Sequence, residues 1–135
     1  MKKWDPQELM MSYHQFTVYE KGRKKPHHDW TDEAIKRGFI GDETSISFEA
    51  ISNHKALIEV WLNVPEQVAD AKRKLTVPFQ VRNNGVEIKS ILSNKLTFDL
   101  PNGNYSLTCF ISTFEKNDSL NEYPEKYILN FLPSQ

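Results

Sequence analysis

Apolar and polar residues alternate with a period of two along most of this chain. Met10, Ser12, His14, Phe16 and Val18 alternate with Met11, Tyr13, Gln15, Thr17 and Tyr19, which reads as a first strand with His14 on the core-facing row. Ile46, Phe48 and Ala50 form a second such row, and Ala56, Ile58, Val60 and Leu62 a third. Leu75, Val77, Phe79 and Val81 alternate most cleanly, followed by Leu96, Phe98 and Leu100, then by Tyr105, Leu107, Cys109 and Ile111. A last strand is predicted over Lys126 to Leu132. Alternation of this kind sets one face of each strand on a core and the other in water. Asn83-Asn84-Gly85 and Pro101-Asn102-Gly103 supply turn residues that accept positive φ. Pro78 removes a backbone donor, which places its strand at a sheet edge or a bulge.

About seven to eight short strands separated by turns predict a mainly β fold, an antiparallel β-sandwich, with a closed barrel as the second choice. One short helix interrupts them. Asp29 or Thr31 can cap it, Asp32 and Glu33 fall in its first turn, Lys36 and Arg37 in its last, and Gly38 ends it. Pro65 to Lys74 reads equally as a helical turn or a loop. No repeat or linker divides the chain, so a single domain spanning residues 1–135 is expected.

Composition narrows the function classes. With 17 basic and 18 acidic residues the net charge is -1, which argues against coating nucleic acid directly. The single cysteine, Cys109, allows no intrachain disulfide and sits on an inward row, so a buried structural thiol is expected. Met1 to Leu9 lacks the apolar run of a signal peptide, and no stretch has the ~20 apolar residues that span a bilayer. Synthesis in the cytoplasm is expected, with membrane association only peripheral and through a partner.

The search for catalytic groups finds none. The histidines His14, His27, His28 and His54 do not form a metal-binding pair on a helix. Neither a nucleophile elbow nor a phosphate-cradling glycine loop is present. No cofactor, metal or catalytic residue is therefore assigned.

Charge and aromatic residues are more informative. Lys21, Arg23, Lys24 and Lys25 form a basic run that reads as a solvated loop. Beyond it, Asp29, Asp32, Glu33, Asp42 and Glu43 against Lys36 and Arg37 leave a local balance of -3. Glu115 to Glu125 is a second acidic stretch. Both patches suit a basic partner by steering and orientation, and both also read as ordinary solvated loops. Tyr13, Trp30 and Trp61 are candidate aromatic anchors.

Whole strings of residues go further than pattern. Trp4-Asp5-Pro6-Gln7-Glu8-Leu9, Ser12-Tyr13-His14-Gln15-Phe16-Thr17-Val18 and Asp29-Trp30-Thr31-Asp32-Glu33-Ala34-Ile35 resemble the opening of the competence protein J family. Ile46 to Ala50, Val77-Pro78-Phe79, Asn84-Gly85, Phe98-Asp99-Leu100-Pro101 and Leu107-Thr108-Cys109 continue the resemblance in order over nearly the whole chain. Membership would imply a sandwich-like fold and a protein inhibitor of the DNA-entry nuclease of competent, Bacillus-like bacteria. It would act in a membrane-associated complex in which DNA cleavage is suppressed during transformation. The sequence departs from the family pattern in the basic Glu20–His28 loop and in Thr113–Glu125.

On this reading the partner-binding candidates are Asp29, Asp32, Glu33, Asp42 and Glu43 as phosphate-like carboxylates, with Trp30 and Tyr13 as anchors. Two rival readings remain. A carbohydrate- or small-ligand-binding sandwich would need aromatics such as Trp61 and Tyr127 on one exposed face. A small cupin-like enzyme would need a clustered ligand set.

Overall fold

The computed structural model describes residues 1–65, 68, 71–113 and 125–134, which form eleven strands and one helix. In chain order these are β1 (Lys2–Lys3), β2 (Gln7–Met10), β3 (Gln15–Glu20), α1 (Asp32–Arg37), β4 (Phe39–Gly41), β5 (Ser45–Glu49), β6 (Lys55–Leu62), β7 (Arg73–Val81), β8 (Gly85–Lys89), β9 (Leu96–Asp99), β10 (Gly103–Thr113) and β11 (Glu125–Pro133). Two sheets result, ordered β1-β6-β11-β10-β7, with β2 also paired to β6, and β4-β5-β3-β8-β9. Every strand pair is antiparallel except β6 with β11, which run parallel. The predicted sandwich is therefore correct in class, with one parallel pair inside it.

The alternating rows meet between the sheets. Ile58 and Val60, Leu129 and Phe131, and Leu107 and Ile111 come from the first sheet. They face Phe16, Val18, Ile46, Phe48, Val86 and Ile88 of the second, all at most 3% exposed. Burying each such side chain contributes roughly 1.5–3 kcal/mol. Cys109 lies within this layer, completely buried, and burial pushes its thiol pKa far upward.

Pro78 stands on the edge strand β7, as expected, opposite Ser106. Two residues on, the Gln80 amide donates at 2.6 Å to the Glu43 carbonyl in the β4–β5 turn. Pleating puts residues 78 and 80 on the same side of the strand, so the missing donor of Pro78 faces away from β10.

One expectation fails in an instructive way. Met10 to Tyr19 is not one strand. β2 joins the first sheet and β3 the second, and the chain crosses between them at a turn where Tyr13 and His14 have φ of 54° and 52°. The inward row changes parity there, from Leu9 and Met11 to Phe16 and Val18. His14, read as a core residue by extending the later row backwards, is exposed instead.

Strands β1, β4 and β8 had no counterpart in the sequence reading. Of the Pro65–Lys74 stretch, residues 66, 67, 69 and 70 lie outside the described residues, and Arg73 and Lys74 already belong to β7.

The helix follows its predicted signals closely. Thr31 Oγ1 accepts from the Ala34 amide at 3.1 Å. At the other end, Gly38 takes φ 92° and its amide donates to the Ala34 carbonyl at 2.8 Å. Only glycine adopts that conformation without a Cβ clash.

Candidate functional site

The segment from Lys21 to Thr31 lies across the outer face of the second sheet, and polar contacts hold it there. Lys21 Nζ meets Asp99 Oδ1 at 2.6 Å, and the Gly22 amide donates to Glu87 Oε2 at 3.3 Å. His28 inserts both ring nitrogens between serines of β5, with Nδ1 2.8 Å from Ser47 Oγ and Nε2 3.0 Å from Ser45 Oγ. Burial lowers the His28 pKa, and neutral imidazole suits this seat between two hydroxyls. Trp30 completes the attachment, donating from Nε1 to Gln15 Oε1 at 3.2 Å. The basic run is partly absorbed in the same way. Lys21 is paired, Arg23 sits 3.7 Å from Glu20, and Lys25 is half-buried with its ammonium pKa lowered by burial and then by Lys89.

At the end of this segment Trp30 reaches the chain crossing. Tyr13, His14, Trp30, Ile35 and Glu49 line a depression of about 370 Å³. Two predicted anchors, Tyr13 and Trp30, are thus brought together from 17 positions apart. Tyr13 is 66% exposed and Ile35 52%. Asp32 and Glu33 stand exposed on the helix that supplies Ile35, in the turn where the dipole favours their charge. Asp29 is exposed beside them in sequence, its carboxylate 2.9 Å from His27 Nε2.

Asp42 and Glu43 do not join this group. They sit past the other end of β5, whose ends Ser45 and Glu49 are four residue steps apart, about 13 Å. Asp42 Oδ1 accepts from the Thr44 amide at 2.8 Å, the Thr44 hydroxyl at 2.9 Å and the Ser45 amide at 3.1 Å. The Thr44 amide bond, ahead of the other contacts, holds the Asp42 pKa below its ordinary value. Its carboxylate therefore builds the β4–β5 turn, and the Glu43 backbone links that turn to β7.

Other expectations need correction. Trp61 is 5% exposed and packs with Val64, Phe110 and Ile128 on the outer face of the first sheet, donating from Nε1 to Glu59. Tyr127 is fully buried. The ligand-binding reading, which needed both rings on an open face, loses its platform. Of the acidic stretch Glu115 to Glu125, residues 115–124 lie outside the described residues. Glu125 is buried, accepting from Ser52 Oγ at 2.6 Å and the Tyr127 hydroxyl at 3.2 Å.

The sequence reading missed Ile35 and Glu49 as lining residues and put a third, His14, in the core. Ile35 could have been found. In a six-residue helix with Ala34 inward the next residue lies about 100° around, off the centre of the packed face, and Ile35 is 52% exposed there.

The sequence profile of the family described as Competence protein J (ComJ) matches residues 8–132. This chain belongs to that family. A protein of Bacillus subtilis (strain 168) named DNA-entry nuclease inhibitor is 51% identical over 118 residues, covering 87% of this chain and 89% of that one. The crystal structure of ComJ from Bacillus subtilis, described as an inhibitor of the DNA degrading activity of NucA, superposes with a TM-score of 0.90 at 47% identity, covering 98% of each chain. A protein described as Crocagin biosynthetic gene J shares the fold alone, with a TM-score of 0.59 at 9% identity over the full length of both chains. Among the described residues no group of three or more His, Cys, Asp or Glu is placed to hold a metal, and no helix is long and apolar enough to cross a membrane.

Proposed function

We propose that this chain is a non-enzymatic protein inhibitor of a DNA-entry nuclease, binding the enzyme and suppressing DNA cleavage during genetic transformation. The observation that carries the reading is the half-identical relative named for that activity. The joint surface of Tyr13, Trp30 and the first turn of α1 gives it a physical form. An enzyme that cuts duplex DNA must present a cationic groove to the phosphates. Carboxylates at Asp29, Asp32 and Glu33 occupy that groove as phosphate surrogates, while Trp30 and Tyr13 supply the apolar contact. Asp42 and Glu43 serve as outlying charges that steer approach, and any membrane association comes through the nuclease.

The test is plasmid digestion by purified nuclease with increasing amounts of this protein. Cleavage should stop near stoichiometric addition, and the protein alone should leave DNA intact. Undiminished cleavage at large excess would remove the reading. Neutralising the helix turn with Asp32→Asn and Glu33→Gln should weaken inhibition about 10-fold at low salt and less at high salt, through slower association. Unchanged inhibition in the folded variant would acquit this turn.

A further inference from the structure

The crossing turn at Ser12–Gln15 carries an exposed aromatic ring on a backbone that the protein goes to some length to hold. Tyr13 and His14 both adopt the left-handed conformation, which is uncommon for residues other than glycine and of order 1–3 kcal/mol uphill for each. Such a turn persists only where its surroundings over-determine it. Here they do. The His14 amide donates to Asn53 Oδ1 at 2.8 Å, and the His14 carbonyl accepts from the Ala50 amide at 2.8 Å. Ser90 Oγ accepts from the Ser12 amide at 2.9 Å and donates to the Gln15 carbonyl at 2.6 Å. Ser12 Oγ in turn accepts from the Leu92 amide at 3.0 Å. These two buried serines latch the crossing turn to the β8–β9 turn, so that Tyr13 and Leu92 are presented by loops held in fixed relation.

Apolar surface continues across that latch. A second depression, about 540 Å³, shares Tyr13 and His14 with the first and includes Met10, Asn53 and Leu92 in its lining. Leu92 is 75% exposed and Met10 43%. The crossing turn therefore borders both depressions. Large apolar side chains gathered this way mark an interaction surface, and an aromatic carried on a backbone already fixed by hydrogen bonds leaves less ordering to be done on binding. The acidic turn of α1 lies on one flank only. An occupant must therefore bring apolar side chains for this surface and basic groups for that flank.

We propose that Tyr13, Leu92 and Met10 form a preorganised apolar anchor that docks on the DNA-entry nuclease beside its cationic groove, continuing the contact made by Trp30 and α1. The inference rests on the inhibitor reading above and extends it to the β8–β9 turn, a region without acidic or motif residues to mark it.

Nuclease binding and plasmid protection are to be measured for the intact wild-type protein, Tyr13→Asn, Leu92→Ser and Ser90→Ala. Asparagine keeps the left-handed backbone accessible while removing the ring. Tyr13→Asn should weaken binding about 30-fold, the size of an interface hot spot, and Leu92→Ser about 5–10-fold. Both losses should be equal at low and high salt, unlike those of the helix-turn charges. Ser90→Ala leaves the contacting side chains in place, so its loss should appear as slower association or a larger ordering entropy. Circular dichroism and thermal melts identify any variant that fails to fold, and Leu92→Ser, with its side chain in solvent, keeps the test decisive if another does. Wild-type inhibition with full binding by folded Tyr13→Asn and Leu92→Ser would overturn the anchor and leave the inhibitor reading intact. Absence of wild-type binding would overturn both.

Discussion

Gly38→Ala offers the sharpest test of how the candidate site is held. Gly38 ends α1 at φ 92°, and a Cβ built there would fall 2.2 Å from Arg73 Nη2 and 2.5 Å from Arg73 Cζ. Two costs follow. Placing alanine in the left-handed region costs about 1–2 kcal/mol. The guanidinium must also move, and it is the mobile end of a long side chain, so the cost is what it leaves behind. Arg73 Nη1 lies 3.7 Å from Glu49 Oε1, with the two side chains 30% and 34% exposed, a pair worth about 0–1 kcal/mol. The sum is roughly 1–3 kcal/mol. Urea denaturation of wild type, Gly38→Ala, Arg73→Ala and the double variant separates the parts. In the Arg73→Ala background the loss from Gly38→Ala should shrink to the backbone component. A Gly38→Ala protein as stable as wild type would refute the claim that the left-handed cap is required. An identical loss in both backgrounds would refute the steric role of Arg73.

Three further outcomes are expected. Because burial lowers the His28 pKa, the unfolded chain takes up a proton that the folded one resists as pH falls below about 6.5. Stability should therefore drop from neutral pH downward until the folded imidazole also protonates. His28→Gln should flatten that part of the profile in denaturation series between pH 7 and 5, and matching profiles would dismiss the effect. The Asp42 contribution, with its pKa lowered by the Thr44 amide, is present above the carboxylate range and is lost only at more acidic pH. Thr31→Ala removes the N-cap bond to Ala34 and should cost about 0.5–2 kcal/mol in the same assay, with Thr31→Ser restoring most of it. Cys109 should react with a thiol reagent only at the rate of unfolding, since it is fully buried and its thiolate strongly disfavoured; fast labelling of native protein would contradict its placement.

Much of the fold was legible because alternation survives wherever one face of a strand is buried. The rows containing Val77 and Phe79, and Leu107 and Cys109, face the core as read. The helix was legible because its caps are chemical, with Thr31 at one end and Gly38 at the other. The crossing at Tyr13 was not. Apolar residues on both sides of it make the pattern look continuous, and nothing in a string of letters says that two non-glycine residues will take positive φ. β8 was hidden for a different reason. Val86-Glu87-Ile88-Lys89 does alternate, but over only four residues that follow directly on the Asn83-Asn84-Gly85 turn, too short a run to stand out as a strand. At the candidate site, sequence named Tyr13 and Trp30 as candidate aromatic anchors, and the fold brings the two into one depression. Sequence could not separate them from Asp42 and Glu43, since that depends on which end of β5 each segment meets.

The place of β11 in the first sheet has a consequence for biogenesis. It is the last strand in sequence, yet it lies between β6 and β10. A ribosome delivers β6 long before the strand that must join it to β10, and β10 itself only shortly before. Until Glu125–Pro133 emerges, both carry open edges whose amides and carbonyls are ready to pair with any other extended chain. The centre of the sheet therefore closes only once β11, the last of the described strands, is available. Chaperone dependence and the toxicity of prematurely terminated chains should be governed by this one late strand.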